Sequence, residues 1–430
     1  EHVGLKAAAI ASFLRNHRVC VRAPAVGGRI NPVTVWDDLV GQATAVESLS
    51  AATADARAEI PGPAMTHAWL ITGPPGSGRS TAARAFAASL MCSEGGCGDC
   101  AECREVAAGS HPDVEVIRPE GVSYKTADAR ALVSRAAMAP SRGKWHVIVL
   151  EDADRLTETA NNVLLKAIEE PPPRAVWLLC TPSVEDVLPT IRSRCRHVML
   201  KTPAPQDVAD YLVAAEGVDA ESALFAAHAS QGHVGRARAL ARDESARHRR
   251  RDILSIPARL SNLRMCLTSA EAMVTTAKED ARAITEPLDE REREDLLLAW
   301  GEGAEGRGVK GGARGVKGAL KELEDRQKSR NTRTQRDQLD RALLDLLGFY
   351  RDVLAQQFGA VTDQANQFIN AEMSSEIQRL ASESDPVETM WRIDAIETAR
   401  LALDANVAPQ LAIEALTIDL RRPSLRRSGS

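Results

Sequence analysis

Apolar positions along this chain change their period once, near residue 200. Upstream, four short continuous apolar runs stand out: "AWLIT" (68–72), "DVEVI" (113–117), "WHVIVL" (145–150) and "AVWLLC" (175–180). Runs of this kind predict strands buried on both faces of a parallel sheet. The helical patterns between them make an α/β domain with its ligand at the strand ends. "KTPAPQDVADYL" (201–212) then marks a boundary, where two prolines precede a fresh helix with Asp207 near its start. From there to about 245 the pattern predicts a small helical domain, and 246–430 reads as all-helical. Within that region Leu339, Leu343, Leu346, Tyr350 and Val353 fall on one stripe at helical spacing. The Gly-rich segment 301–318 interrupts it and predicts a flexible loop, and "SLRRSGS" at the end predicts a disordered tail.

Composition narrows this picture. A chain of 430 residues has room for two or three domains and a sizeable core. With only 3% aromatics, that core must be built from Ala, Leu and Val. A net charge of −5 excludes a bulk polycation, so any nucleic-acid contact must come from a local basic face or from partners. No apolar run approaches the roughly 20 residues of a membrane span, and no membrane partner is expected. Residues 1–33 are Arg-rich and read as an N-terminal extension, poorly ordered, with the look of a transit peptide. Four of the eight cysteines crowd into residues 92–103, which points to a reducing compartment and a metal.

The chemistry concentrates in four places. "GPPGSGRS" (73–80) is a phosphate-binding loop between a strand and a helix, with Arg79 where the lysine of G-x-x-x-x-G-K-[ST] belongs. Gly73, Gly76 and Gly78 let backbone N–H groups curl around phosphate oxygens, and Ser80 is placed to touch Mg²⁺. A planar guanidinium is a poor substitute for a compact ammonium in phosphoryl transfer. The strand "VIVL" ends in Glu151 and Asp152, the reverse of the usual Asp-then-Glu order for metal and water. Successive residues point opposite ways, so the swap predicts a degenerate metal site; for Asp154, capping of the next helix is the competing reading. Cys92, Cys97, Cys100 and Cys103, spaced C-x4-C-x2-C-x2-C, suit structural zinc, an iron–sulfur cluster being the alternative. "PTIRSRCRH" (189–197) is either a solvated basic turn or an arginine finger for a neighbouring subunit. Thr126, read as a helix cap beside Lys125, marks either a phosphate contact or an ordinary surface helix.

"DDLVGQ", "HAWLITGPPGSGRST", the four-cysteine loop, "NNVLLKAIEEPPP" and "SRC" occur together and in this order. In that combination the chain resembles the bacterial clamp-loader AAA+ subunits, the delta-prime subunit of DNA polymerase III first and gamma/tau second. The resemblance is close over about 35–245 and weaker beyond, where "LDANVAPQLAIEALTIDL" (403–420) looks like the closing collar helices. It implies a RecA-like AAA+ domain with a zinc module (34–203), a helical lid (204–245) and a helical collar (246–430). Carried over by position, Val40 and Gly41 lie beside adenine. The phosphate loop comprises Gly73, Pro74, Gly76, Ser77, Gly78, Arg79, Ser80 and Thr81. Thr181 sits at the phosphate-sensing strand end, and Arg194 is the finger inserted in trans. The implied cofactors are structural Zn²⁺ and ATP or ADP with Mg²⁺. The implied partners are the gamma/tau and delta subunits, the sliding beta clamp and primer–template DNA, in the bacterial cytoplasm. Arg79, the swapped acid pair, and Gly235 where a gamma-type lid helix carries Arg together favour a stator over a motor, with little or no ATPase of its own.

Overall fold

The computed structural model describes residues 34–119, 123–124, 126–299, 312–360 and 368–421, with backbone alone at 312–315. The N-terminal extension, Lys125, residues 301–311 of the Gly-rich segment and the "SLRRSGS" tail lie outside them.

Five strands form one parallel sheet: β1 (Ala68–Thr72), β2 (Val114–Ile117), β3 (His146–Leu150), β4 (Ala175–Thr181) and β5 (Arg196–Met199). Their order is β2-β3-β4-β1-β5, so the phosphate loop leaves a central strand. This is the RecA-like arrangement of an AAA+ domain. β1, β3 and β4 are buried along their whole length, which is why they read as unbroken apolar runs. Alternate residues serve opposite faces. Trp69 and Ile71 pack with α1 (Ala43–Arg57), α2 (Arg79–Met91) and α3 (Ala101–Ala108). Leu70, Trp177 and Leu179 pack with α4 (Thr126–Ala136) and α5 (Glu158–Glu169). Alanines 82, 83, 85, 87 and 88 of α2 are buried, so a core short of aromatics closes by drawing a small-residue helix against the sheet. A one-turn helix, α6 (Pro189–Arg192), precedes β5.

Asp113, just ahead of β2, fastens the return loop. It accepts the N–H groups of Ser141, Arg142 and Gly143 at 2.5, 2.8 and 2.7 Å. Burial opposes its charge, but these donors outweigh it and hold the carboxyl well below the usual range.

Three helices, α7 (Pro205–Glu216), α8 (Ala220–Ser230) and α9 (Val234–Arg242), make a small Ala-rich cluster against which Val40 packs. Then follow α10 (Glu244–Leu254), α11 (Ile256–Arg259), α12 (Leu263–Ala299), α13 (Gly312–Gln357), α14 (Ser374–Glu383), α15 (Pro386–Asp404) and α16 (Pro409–Arg421). The stripe Leu339, Leu343, Leu346, Tyr350 and Val353 is buried at the centre of this bundle.

One expectation is corrected. Residues 312–318, read as part of a flexible loop, begin α13. Each helical glycine costs about 1 kcal/mol relative to alanine. Pairing with α12 offsets that cost: Leu323 is buried, Gln327 Nε2 donates to the Asp289 carbonyl at 2.9 Å, and Arg330 pairs with Asp289 and Glu292.

Two outcomes follow from this packing. Leu343→Ala leaves a cavity in the bundle and is expected to cost about 2–5 kcal/mol, read as a lowered denaturation midpoint. Asp113 has a depressed pKa, so its stabilisation is present above the unfolded value of about 3.9 and disappears as pH falls below it. Asp113→Asn is therefore expected to lower stability at neutral pH and to flatten its decline below about pH 4, measured by urea unfolding across the pH range.

Candidate functional site

The phosphate loop keeps the geometry of an anion cradle. Gly76 and Gly78 have φ of 84° and 94°, and Gly78 enters α2 with no side-chain cap, which leaves the helix N-terminus for a ligand. Ser77 is buried, and among the described residues its hydroxyl has no partner. Gln42 splints the loop: its Nε2 donates to the Lys201 carbonyl at 2.6 Å and to the Ser77 carbonyl at 3.3 Å. Loop residues from Gly76 to Thr81 line a cleft of about 410 Å³, together with Val40, Arg118, His233 and Arg238. Gly41, in a left-handed turn against Pro203 and Asp207, packs at the junction to α7 rather than in the cleft. Gly73 and Pro74 shape the loop without lining it.

Arg79 lines the cleft but is anchored to the loop. Its Nη1 donates to the Gly73 carbonyl at 2.5 Å, so the guanidinium is tied to the loop's own backbone. The acids are tied as well. Glu151 is buried between Arg118, which pairs with it through Nε and donates from Nη2 at 3.2 Å, and Arg84 at 3.4 Å. Asp152 turns away in a left-handed conformation (φ 51°) and pairs with Arg333 of α13, whose Nη1 also donates to the Pro119 carbonyl at 2.8 Å. Both acids lie outside the cleft lining. The phosphate half of the site fits a nucleotide, and among the described residues each acid is paired with arginine.

Over the loop sits His233. It caps α9, accepting the Arg236 N–H on Nδ1 at 3.2 Å, and a side chain at Gly76 would lie 2.6 Å from it. Burial, then the charges of Arg341 and Arg236, bring its pKa down to about 4, so the ring is neutral at neutral pH. Arg236 points out of the cleft and pairs with Asp345 of α13.

The four cysteines converge. Their sulfurs lie within 4.8 Å of one another, with Cys92–Cys97 and Cys92–Cys100 both at 3.7 Å. A tetrahedral ion with metal–sulfur bonds of about 2.3 Å requires sulfur–sulfur edges of about 3.8 Å. Backbone N–H groups of Glu94 and Cys97 donate to Cys92 Sγ at 3.3 and 3.5 Å, and Cys103 N–H donates to Cys100 Sγ at 3.4 Å. Burial opposes thiolate formation at Cys92, but N–H donors from Cys97, Gly96 and Glu94 bring its pKa down to about 6. The geometry fits one four-thiolate ion.

The remaining sequence candidates fall apart from these centres. Thr181 is buried at the end of β4, donating to the Ser183 carbonyl at 3.2 Å, and does not line the cleft. Arg194 is exposed and is held by Glu169 and by the Thr190 carbonyl, both at 2.8 Å. Asp154 does not cap α5; Thr157 does, accepting the Ala160 N–H at 3.3 Å. Thr126 is the first residue of α4, and its hydroxyl meets that of Thr159 at 2.7 Å, so it is engaged within the domain. Sequence reading missed Arg84, Arg118, Gln42, His233 and Arg333.

With the geometry in hand, likeness to known proteins has something to rest on. Residues 50–204 match the family model described as DNA polymerase III, delta subunit. The DNA polymerase III subunit delta' of Pseudomonas aeruginosa is 38% identical over 135 residues, 30% of this chain and 41% of that protein. Subunit delta' of Escherichia coli is 35% identical over 180 residues, 40% of this chain and 54% of that protein. Subunit gamma/tau of Mycobacterium tuberculosis is 32% identical over 196 residues, 44% of this chain and 33% of that protein. Residues 50–204 are thus similar to the P-loop region of DNA polymerase III delta-prime and gamma/tau subunits. The chain spans from a third to about half the length of these relatives. Among solved structures, a DNA polymerase III gamma-subunit-related protein of Thermotoga maritima is 17% identical, covering 87% of this chain and 98% of that one at a TM-score of 0.37. That score is too low to add to the strand order. Among the described residues no helix is long and apolar enough to cross a membrane.

The cysteine cluster makes a direct prediction. The purified chain is expected to hold one divalent ion by elemental analysis. Cys103→Ser should reduce that content to near zero and loosen residues 92–103, leaving the parallel sheet intact by circular dichroism. A metal-free wild-type chain with the same protection in that segment would contradict the assignment.

Proposed function

We propose that the chain is a delta-prime-type stator of a DNA polymerase III clamp loader, acting with gamma/tau and delta subunits to place the sliding beta clamp on primer–template DNA in the bacterial cytoplasm. In this reading residues 34–203 are the AAA+ domain, 204–245 the lid and 246–430 the collar, and the four thiolates hold structural zinc. The observation that carries it is the state of the acids. Glu151 and Asp152 are both claimed by arginines of the same chain, while the phosphate cradle over α2 is kept. A site of that kind can retain ATP or ADP without the metal and water positioning that hydrolysis demands. Arg79, bonded to its own loop, and Gly235, in place of a lid arginine, support the same reading. Arg194 stands exposed beyond α6, where a neighbouring subunit's ATP site can receive it.

A gamma/tau-type motor is the second reading, favoured by the 32% identity to gamma/tau over 196 residues, a longer match than to the delta' relatives. ATP hydrolysis separates the two. The purified chain is expected to show no turnover above background. In the reconstituted loader, Arg194→Ala is expected to silence the site it faces, a finger being worth about 10³–10⁵ at its own site. Vigorous DNA-stimulated turnover by the lone chain would favour the motor, and unchanged loader turnover with Arg194→Ala would remove the proposed role of Arg194.

A further inference from the structure

α13 touches both walls of the nucleotide cleft. Near its middle Arg333 pairs with Asp152 and donates to the Pro119 carbonyl at 2.8 Å, which fixes the sheet side beside the Arg118–Glu151 pair. Twelve residues on, about 18 Å along a helix axis, Asp345 pairs with Arg236 and accepts Arg250 Nε at 3.2 Å. Arg250 in turn donates to Asn370 Oδ1 at 2.6 Å and pairs with Glu372, so Asp345 belongs to a fully partnered buried network. Arg236 is in the first turn of α9, whose capping His233 lies on Gly76 of the phosphate loop. The ground that these pairs cross is loosely packed. A cavity of about 430 Å³ separates Arg118 and Glu151 from Thr285, Arg330 and Arg333. Another, of about 680 Å³, lies between α9, α10 and α13. Ion pairs span this ground and connect α13 to each wall.

We propose that α13 is an intramolecular brace on the nucleotide cleft, with Arg333 holding the Asp152 wall and Asp345 holding the Arg236 wall, so that the C-terminal helices set one cleft opening and keep Asp152 out of the site. A single helix gripping both walls lets neither move without breaking a pair. The two pairs share no residue, so independent local contacts would act separately, whereas a brace couples them.

Amide hydrogen exchange on the full chain tests it. The reporters are Tyr124, Arg155 and Leu156 on the sheet wall, whose N–H groups bond across the turn after β3, and Ala237 on the α9 wall. Arg333→Ala is expected to speed exchange of the sheet-wall amides about tenfold, and to speed Ala237 although Arg333 does not touch α9. Arg236→Ala should do the converse. The reversed pair Asp152→Arg with Arg333→Asp should restore slow exchange on both walls, and it keeps the test decisive where a single substitution destabilises the whole chain. If each substitution loosens only its own wall, or neither changes exchange, or the reversed pair fails to restore it, there is no brace.

Discussion

Two carboxylates at the end of a buried strand cannot remain unpaired, and the identity of their counter-charge decides what the rest of this structure can do. In a working P-loop site the counter-charge is a metal ion, which leaves again with the nucleotide. Here it is arginine, covalently part of the chain. Glu151 is buried against Arg118 and Arg84, and Asp152 is turned through a left-handed backbone toward Arg333. A metal would have to displace guanidinium groups from these partly buried pairs. The cradle of N–H groups takes no part in these pairs.

The same charges tie the helical C-terminal region to the P-loop domain. Arg333 and Asp345 lie on the helix whose apolar stripe forms the centre of the bundle. Burial of Leu339, Leu343 and Leu346 thereby fixes the helix that reaches the acids. Packing of the bundle, placement of Arg333 and the state of Asp152 form one causal chain. The cysteine cluster stands apart from it, joining the end of α2 to the start of α3 and leaving the cleft untouched.

Much of the scaffold was legible in the sequence because its causes are local. "AWLIT" is apolar throughout since both faces of β1 are covered, and the stripe from Leu339 to Val353 repeats at the period of a helix with one buried side. The cysteine spacing gave the cluster for the same reason. What escaped was non-local. The Arg333–Asp152 pair joins residues 181 positions apart, and no periodicity announces it. His233 lies 157 positions from Gly76, and no local pattern shows that the lid brings the two together. The glycines at 312–318 carried a true local preference against helix, overridden by pairing with α12 that composition does not reveal. Thr126 matched a capping pattern, yet its hydroxyl is spent on Thr159 of a neighbouring helix.

We propose that arginines have replaced the metal at Glu151 and Asp152. The most direct test is the affinity of the full chain for a fluorescent ADP analogue, measured with Mg²⁺ and again with the ion chelated. If the acids are held as described, the two dissociation constants are equal within error. A tightening of about tenfold or more on adding Mg²⁺, about 1.4 kcal/mol, would mean that the carboxylates still serve a metal and would contradict the account.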